Sequence, residues 1–360
     1  MPDNYQYVPA SRRYFCLQQN PIRLVWYLYV YSRSLELHTG RIRPQVLRII
    51  ARLIQYRFSG SRAVAALTLP FYGNLCLPVH RGYKIFDFRR KIVVKLMRAE
   101  IDSAVVSTEI EAVRKAGRLD FAPRILNWDL QERWYEEEFI NGCPFYANPT
   151  AKTNIFFEIF HLHITPCLEK MILLQPPQSV EIREYVQHLS QLAENKKFFI
   201  VGTNNQASNL IYGFIESIVS QVLKKAEGKI PLVFSHGDFS LVNILKGDDG
   251  IKVIDWEDAA QRNPLYDLYN YFFTESYYGR TTSKIMTEVN EAIKSLQERL
   301  VTKSPEVAAT LLSSAEIYRR LYYLERLGML LEREFSSKIL EVILRSLDVF
   351  NACEENFAKS

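Results

Sequence analysis

The chain has 360 residues, 48% of them hydrophobic and 24% charged, with a formal net charge of +5 at pH 7. This composition is typical of globular proteins and excludes a largely disordered chain; because the length exceeds what one hydrophobic core usually serves, we expect two lobes. Five cysteines lie far apart with no Cys-x-x-Cys pair, which favours reduced thiols in a cytoplasmic protein over a disulfide scaffold. His161 and His163 have no cysteine or histidine cluster around them, so core or helix-capping positions are favoured over a zinc site.

The first 70 residues form a basic extension. The first 100 residues hold 17 lysines and arginines against 4 acidic residues, and most of this excess precedes residue 71. A helical pattern begins at Pro44 with arginines interleaved, and an aromatic-rich apolar run at residues 22–31 precedes it. That run is too short to span a bilayer and lacks the arrangement of a signal peptide.

Three roles are open for this extension, which we expect to be helical. It can be a cap that packs on the small lobe with its basic face in water. Basic amphipathic helices edged with Trp and Tyr also suit an anionic membrane surface, so residues 20–62 could attach the protein peripherally to the inner face of the membrane. An arginine-rich surface also attracts nucleic acid, which is the least favoured of the three.

Two predicted strands, residues 74–79 and 83–88, flank a turn at His80, Arg81 and Gly82. The sequence contains no Gly-x-Gly pair, and therefore neither a kinase-type glycine loop nor the dinucleotide fingerprint; it also lacks a Walker A motif. The turn is therefore the candidate cover for the phosphates of a nucleotide.

A third predicted strand, residues 91–97, is rich in β-branched residues and carries Lys95. A lysine on a central strand is costly to bury unless it meets an anion, which a triphosphate provides. A helical pattern follows and includes Glu109 and Glu111. Residues 133–140 are then predicted to form a strand that leads to an Asn-Gly pair.

Residues 234–257, FSHGDFSLVNILKGDDGIKVIDWE, form the most informative segment. Asp238 precedes Asn243 by five residues, and Asp255 ends an apolar run that follows an Asp-Gly turn. That turn predicts a hairpin with Asn243 and Asp255 at its open end, where they can share a metal ion. In phosphoryl transfer one carboxylate accepts or orients the incoming hydroxyl, while an amide oxygen and a second carboxylate hold Mg²⁺.

The sequence HGDFSLVNIL followed by VIDWE resembles the signature of the aminoglycoside phosphotransferase and choline kinase superfamily, small-molecule kinases with a protein-kinase-like fold. The resemblance covers approximately residues 71–280. It implies a two-lobed α+β fold, with a small β-rich N-lobe for the nucleotide at residues 71–140. A large, mainly helical C-lobe with the catalytic loop, metal site and substrate helices would follow at residues 141–360.

The resemblance also implies roles for residues of the motif. Asp238 would be the catalytic base or orienter of the hydroxyl, and His236 would brace its loop. Asn243 and Asp255 would bind Mg²⁺. Asp267, in a later segment that is similar to the family, would brace the catalytic loop from behind.

The nucleotide would be bound by the N-lobe. Lys95 would contact the phosphates of ATP and be held by Glu109, with Glu111 as the competing glutamate. The residues at the hinge between the lobes, whose backbone would meet the adenine, are Glu138, Phe139 and Ile140. The sequence does not distinguish ATP from GTP.

We therefore expect an ATP- and Mg²⁺-dependent phosphotransferase that acts on a hydroxyl of a non-protein acceptor, such as a sugar or glycan. A choline or ethanolamine kinase is the alternative, because a quaternary ammonium binds aromatic faces and aromatic residues are frequent after residue 255. The helical spacing of these aromatic residues, however, favours a stripe in the core. Trp256 and Glu257 are the candidate substrate contacts. A non-catalytic kinase-like protein would lack an essential group. A membrane- or nucleic-acid-binding protein would leave Asp238, Asn243 and Asp255 without purpose.

Overall fold

The structure is a computed structural model. It describes residues 3–8, 13–16, 19–30, 67–144, 159–195, 205–225, 227–247, 249–274, 281–333 and 336–358. The chain divides into two compact units, the first formed by residues 1–149 and 241–257 and the second by residues 150–240 and 258–360. No helix in these described ranges combines the length and the apolar character needed to cross a membrane.

The first unit is built on an eight-stranded sheet in which every neighbouring pair of strands is antiparallel. Its strands are β1 (Asp3–Val8), β2 (Arg13–Cys16), β3 (Leu67–Leu69), β4 (Leu75–Val79), β5 (Gly82–Asp87), β6 (Ile92–Met97), β7 (Ile125–Asp129) and β8 (Trp134–Glu138). Their order across the sheet is β3-β1-β2-β4-β5-β6-β8-β7.

The described residues of this unit include two helices, α1 (Pro21–Val30) and α2 (Ser103–Ala116). The side chain of Asp102 caps α2 by accepting a hydrogen bond of 2.7 Å from the backbone N–H of Ala104, as expected for an aspartate at a helix N-terminus. In α1, Leu24 and Leu28 are buried in a core cluster with Phe15, Leu75, Phe88, Val93 and Phe139. Apolar burial therefore holds α1 on the sheet.

The expectation of a helical extension at residues 1–70 is wrong for its first part. Residues 3–8 and 13–16 are strands that pair with β3 and β4, so this segment is part of the sheet of the first unit. Tyr5 and Cys16 lie opposite each other and are fully buried. Pairing with strands more than fifty residues away determines this structure, and a local periodicity does not reveal such pairing. The helix expected from Pro44 lies outside the described residues.

A three-stranded sheet completes the first unit. It consists of β9 (Cys143–Pro144), β12 (Ile244–Gly247) and β13 (Gly250–Val253), with β12 in the centre. The hairpin predicted from the Asp-Gly turn is confirmed, since β12 and β13 are antiparallel with Gly247 opposite Gly250. A short 3-10 turn, Leu241–Asn243, leads into β12.

The second unit is mainly helical, with one small sheet of β10 (Gln178–Glu181), β11 (Lys229–Ser235) and β14 (Ala260–Arg262). Its helices are α3 (Thr165–Ile172), α4 (Ile182–Glu194), α5 (Asn205–Lys225), α6 (Tyr266–Thr274), α7 (Thr282–Leu300), α8 (Pro305–Ser313), α9 (Ala315–Glu332) and α10 (Ser337–Ala358). Strand β11 ends at Ser235, so it delivers the chain directly to the His-Gly-Asp turn.

Candidate functional site

Lys95 lies in β6 of the first unit, directly opposite Lys84 of β5 and Tyr135 of β8. Its side chain is fully buried, which is tolerable for an ammonium only beside carboxylates or another anion. Two acids provide this: Glu257 is paired with its Nζ, and Glu109 Oε1 lies 3.4 Å from it. The predicted contact between Lys95 and Glu109 is present in the structure, and its role toward phosphates stays a prediction.

Glu109 is 2% exposed on the inner face of α2 and meets other donors besides Lys95. The guanidinium of Arg81 donates to its Oε2 at 3.0 Å, and the hydroxyl of Tyr135 donates to Oε1 at 3.4 Å. A buried carboxylate with this many partners is fixed in position. Arg81 also donates to the backbone carbonyl of Glu257 at 3.1 Å. The arginine of the turn that we predicted as phosphate cover is therefore hydrogen-bonded to residues of the first unit.

Trp256 and Glu257, the candidate substrate contacts, make contacts within the first unit, and their role toward a substrate stays a prediction. Trp256 is 3% exposed, its indole N–H donates to the carbonyl of Val253 at 2.8 Å, and its ring packs near that of Phe121. Burial alone would raise the pKa of Glu257, but Lys95 and Lys84 lower it well below its ordinary value. An ionised Glu257 is thus a counter-ion for lysine, which sequence reasoning missed because it considered only Glu109 and Glu111 for that part.

Asn243 and Asp255 lie at the same end of the hairpin formed by β12 and β13. The backbone N–H of Ile254 donates to the carbonyl of Asn243 at 2.9 Å, which ties the residue before Asp255 to Asn243. Asp255 has a φ of 72°, in the left-handed region that aspartate tolerates better than most residues. Lys84 is paired with its carboxylate.

The oxygen donors of Asn243 and Asp255 suit Mg²⁺. This ion is commonly bound through one or two carboxylates together with substrate phosphates, and does not need a protein cage. The described part of the chain contains no cluster of three or more His, Cys, Asp or Glu residues that could hold a metal ion. The Asp255 side chain is 34% exposed, which leaves it accessible from solvent.

The hinge residues predicted to meet adenine are only partly available for it. The N–H of Glu138 donates to the carbonyl of Arg124 and that of Phe139 to Lys91, both at 3.0 Å. The ring of Phe139 lies in the core of the first unit. Ile140 follows these two hydrogen bonds, so its backbone is the remaining candidate of the three for a nucleotide contact through an N–H group.

In the second unit, Asp238 lies on a turn that is fixed from behind. Asp267 accepts hydrogen bonds from the backbone N–H groups of His236, at 2.7 Å, and Gly237, at 3.1 Å. The ring Nδ1 of the fully buried His236 accepts the N–H of Asp238 at 3.1 Å. Gly237 has a φ of 88°, and a Cβ at this position would lie 2.3 Å from the carbonyl oxygen of Asp258. The geometry of the turn therefore requires the glycine at position 237 and uses the ring of His236 as an acceptor.

The carboxylate of Asp238 pairs with a residue that sequence reasoning missed, Arg326 of α9, at 3.1 Å. Burial alone would raise the pKa of Asp238, but Arg326, together with Arg333 and His236, holds it below its ordinary value. Asp238 is consequently ionised at neutral pH and able to accept a proton or orient a hydroxyl. The signal for Arg326 in the sequence was its place inside an apolar helical run, where a charge needs a partner.

The described aromatic residues of α6 and α9 form core, while Tyr277 and Tyr278 lie outside the described residues. The fully or nearly fully buried ones in α6 and α9 are Tyr266, Tyr269, Tyr271, Phe272, Phe273, Tyr318, Tyr322 and Tyr323. The hydroxyl of Tyr266 donates to the carbonyl of Gly237 at 3.0 Å, so this core also supports the Asp238 turn. The expectation of a core stripe is confirmed for these residues, and they do not offer an aromatic cage.

Comparisons with known proteins agree with this geometry. A sequence model described as "Phosphotransferase enzyme family" matches residues 184–292. No curated protein matches the chain. Among solved structures, a choline kinase from Cryptosporidium parvum Iowa II gives a TM-score of 0.50 at 13% identity, covering 81% of this chain and 88% of that one.

Two further solved structures are less similar. A Plasmodium vivax ethanolamine kinase gives a TM-score of 0.46 at 14% identity, covering 98% of this chain and 97% of that one. An aminoglycoside phosphotransferase from Streptomyces rimosus ATCC10970, in complex with ADP and streptomycin, gives 0.45 at 16% identity, with 70% and 92% covered. At these identities the likeness concerns the fold.

The matched segment includes the His-Gly-Asp turn and Asp255 and indicates a phosphotransferase. The predicted two-lobed, kinase-like α+β fold is confirmed, apart from the strands in the extension.

Proposed function

We propose that the protein transfers the γ-phosphate of ATP, in the presence of Mg²⁺, to a hydroxyl of a non-protein acceptor such as a sugar or glycan. The observation that carries the proposal is the Asp238 turn: its backbone is held by Asp267 and its carboxylate is kept ionised by Arg326. A carboxylate in a fixed position and in its charged form is what a hydroxyl nucleophile needs.

Each group has a part in the transfer. Asp238 accepts or orients the proton of the acceptor hydroxyl, and His236 keeps the turn in place through its Nδ1. Lys95 supplies positive charge to the phosphates of the nucleotide. Asn243 and Asp255 hold Mg²⁺, which when bound neutralises charge on the phosphates.

The test uses two substitutions that keep side-chain size. Asp238→Asn should reduce phosphate transfer by about a hundredfold or more, since loss of a general base typically costs that much. It should leave stabilisation by Mg²⁺–ATP intact in a thermal melt, because bound ligands raise the melting temperature by mass action. Asp255→Asn should remove the Mg²⁺-dependent part of that stabilisation.

A matched control is Asp249→Asn, which changes an exposed acid in the hairpin that carries Asn243 and Asp255. It should alter neither transfer nor stabilisation. Transfer is measured as ADP formed with sugars, aminoglycosides and choline as acceptors. Normal turnover in Asp238→Asn, or no stabilisation of the wild type by any nucleotide, would contradict the proposal.

A second proposal concerns where the acceptor is presented. Helix α1 exposes Ile22, Trp26 and Val30, spaced four residues apart on one face, together with Arg23. An apolar stripe with Trp and an adjacent arginine suits the surface of an anionic membrane. The rest of the predicted contact, up to residue 62, lies outside the described residues. Binding to anionic vesicles at low salt, weakened by Trp26→Ser and absent with neutral vesicles, would support this proposal, and no binding at low salt would contradict it.

A further inference from the structure

Two lysines face each other in the centre of the sheet of the first unit. Lys84 in β5 and Lys95 in β6 are directly opposite partners, so their side chains leave the same face of the sheet. Like charges in this position destabilise a sheet unless each has a counter-ion. The counter-ions are the two acids that flank Trp256 in the sequence. Lys84 pairs with Asp255, and Lys95 pairs with Glu257.

The two pairs differ in accessibility. The Lys95 side chain is 0% exposed and lies between Glu257 and Glu109. The Lys84 side chain is 14% exposed, and that of its partner Asp255 is 34% exposed. Lys95 is thus enclosed between the buried Glu109 and Glu257, whose side chain is 16% exposed, while Lys84 and Asp255 form the pair in which both side chains are open to a solvent-borne ligand.

We propose that Lys84 is a second phosphate-binding lysine, which occupies the carboxylate of Asp255 until Mg²⁺ and nucleotide bind. This inference rests on the proposed function, in which Asp255 is a metal ligand. An ammonium and Mg²⁺ compete for the same carboxylate oxygens, so loading of the metal displaces Lys84. The released ammonium then lies beside a divalent cation and requires another anion, which the phosphates of the nucleotide supply.

The other carboxylates on this face are poorly placed to pair with the Lys84 ammonium once it leaves Asp255. Glu257 is already paired with Lys95, and Glu109 accepts from Arg81 and lies 3.4 Å from Lys95. Glu137 also lies on this face, but burial raises its pKa to about 7 in spite of Lys84, so it is only partly ionised near neutral pH. A triphosphate is the stronger acceptor for the released lysine.

The position of Lys84 also fits the absence of a glycine loop. In the hairpin of β4 and β5 the turn glycine, Gly82, is required by packing, since a Cβ there would lie 2.0 Å from the carbonyl oxygen of Leu96. Arg81 is held by Glu109 and by the carbonyl of Glu257. Lys84 follows two residues after this glycine, and it supplies by side-chain charge what a glycine loop supplies through backbone N–H groups.

The first experiment uses the unmodified chain. Each lysine is labelled with an amine-reactive reagent and quantified by mass spectrometry in four states: protein alone, with Mn²⁺ alone, with Mg²⁺–ATP, and with ATP without metal. Mn²⁺ alone should increase labelling of Lys84, because the metal displaces it from Asp255, and Mg²⁺–ATP should then protect it. The matched control is Lys252 of β13, whose ammonium donates a hydrogen bond to the backbone carbonyl of Asp120. Its labelling should not change between the four states.

The second experiment separates a phosphate contact from a purely structural role. Lys84→Met should weaken binding of Mg²⁺–ATP by about tenfold or more, the loss expected for one charge-assisted hydrogen bond. It should strengthen binding of Mn²⁺ alone, measured by electron paramagnetic resonance, because the competing cation is gone. Lys84→Arg should restore nucleotide binding, and Lys252→Met should behave as the wild type.

The outcomes distinguish this inference from the function on which it rests. If Mg²⁺–ATP stabilises the wild type and Lys95→Met abolishes this, while Lys84 labelling and the Lys84→Met affinities are unchanged, the inference about Lys84 is wrong and the proposed function stands. If Lys84→Met weakens Mn²⁺ and nucleotide binding together, the role is structural and the inference is wrong. If no nucleotide stabilises the wild type, both proposals are wrong.

Discussion

Replacing Arg326 with methionine removes the counter-ion of Asp238 and keeps the apolar stem of the side chain. The two charged groups are 3.1 Å apart, with side chains 8% and 29% exposed. A hydrogen bond to a charged group contributes about 1.5–3 kcal/mol, and the exposure of Asp238 places the loss toward the lower half, at about 2 kcal/mol. For a unit of this size that loss corresponds to a fall in melting temperature of about 4–8 °C.

The effect should depend on pH with a definite sign. Arg326 lowers the pKa of Asp238 in the folded protein below its ordinary value of 3.8. The stabilisation is therefore fully present above that value and is lost as the pH falls through the lower, folded value. The difference in melting temperature between the wild type and Arg326→Met should be full at pH 7 and shrink below about pH 4.

Catalysis provides the second measurement. Without Arg326 the pKa of Asp238 rises, so the acid limb of the pH dependence of kcat/KM should move to higher pH. The control is Arg320→Met in the same helix, an arginine that is also buried but pairs with Glu354. It should lower stability without moving the acid limb. A difference in melting temperature that persists undiminished to pH 3, together with an unmoved acid limb, would refute this account of the Asp238–Arg326 pair.

Two other substitutions in the second unit have defined outcomes. Burial raises the pKa of Glu325 to about 7, although hydrogen bonds from Tyr185 and Asn263 oppose the shift, so the stabilisation is fully present below the ordinary pKa of 4.5 and is lost as the pH rises through about 7. Glu325→Gln should therefore flatten the decline of the free energy of urea unfolding between these two pH values. An unchanged slope would contradict this. Gly237→Ala should abolish transfer and lower the melting temperature, because Gly237 has a positive φ and a Cβ there would clash with the carbonyl of Asp258. The control Gly213→Ala, in a helix with open space around the glycine, should raise stability by about 1 kcal/mol. A harmless Gly237→Ala would show that the turn is not fixed as described.

Elements with local signals could be predicted from the sequence. The hairpin that carries Asn243 and Asp255 follows from an Asp-Gly turn between two apolar runs, and it is present. The strand of Lys95 follows from its β-branched residues. In both cases the residues that determine the structure lie within about ten positions of one another, so a short window of sequence contains the information.

Elements that depend on distant residues could not be predicted. Strands β1 and β2 exist because they pair with β3 and β4, more than fifty residues away, and the interval includes a stretch whose pattern is helical. The second acid on Lys95 was missed for a similar reason. Glu257 lies 162 residues from Lys95, so no short window of sequence contains both residues.

The arginines of α9 show how far physical reasoning from the sequence extends. Arg319, Arg320 and Arg326 are all buried, and because a buried guanidinium needs an anion, an arginine in an apolar helix predicts that a carboxylate lies nearby. It does not predict which one: two of the three pair with Glu354 and the third pairs with Asp238. An ion pair with a helix arginine therefore does not by itself mark Asp238 as catalytic. What sets Asp238 apart from Glu354 is its position on a turn, with its own backbone N–H bound to His236 and the two preceding N–H groups bound to Asp267, an arrangement that fixes its carboxylate in place.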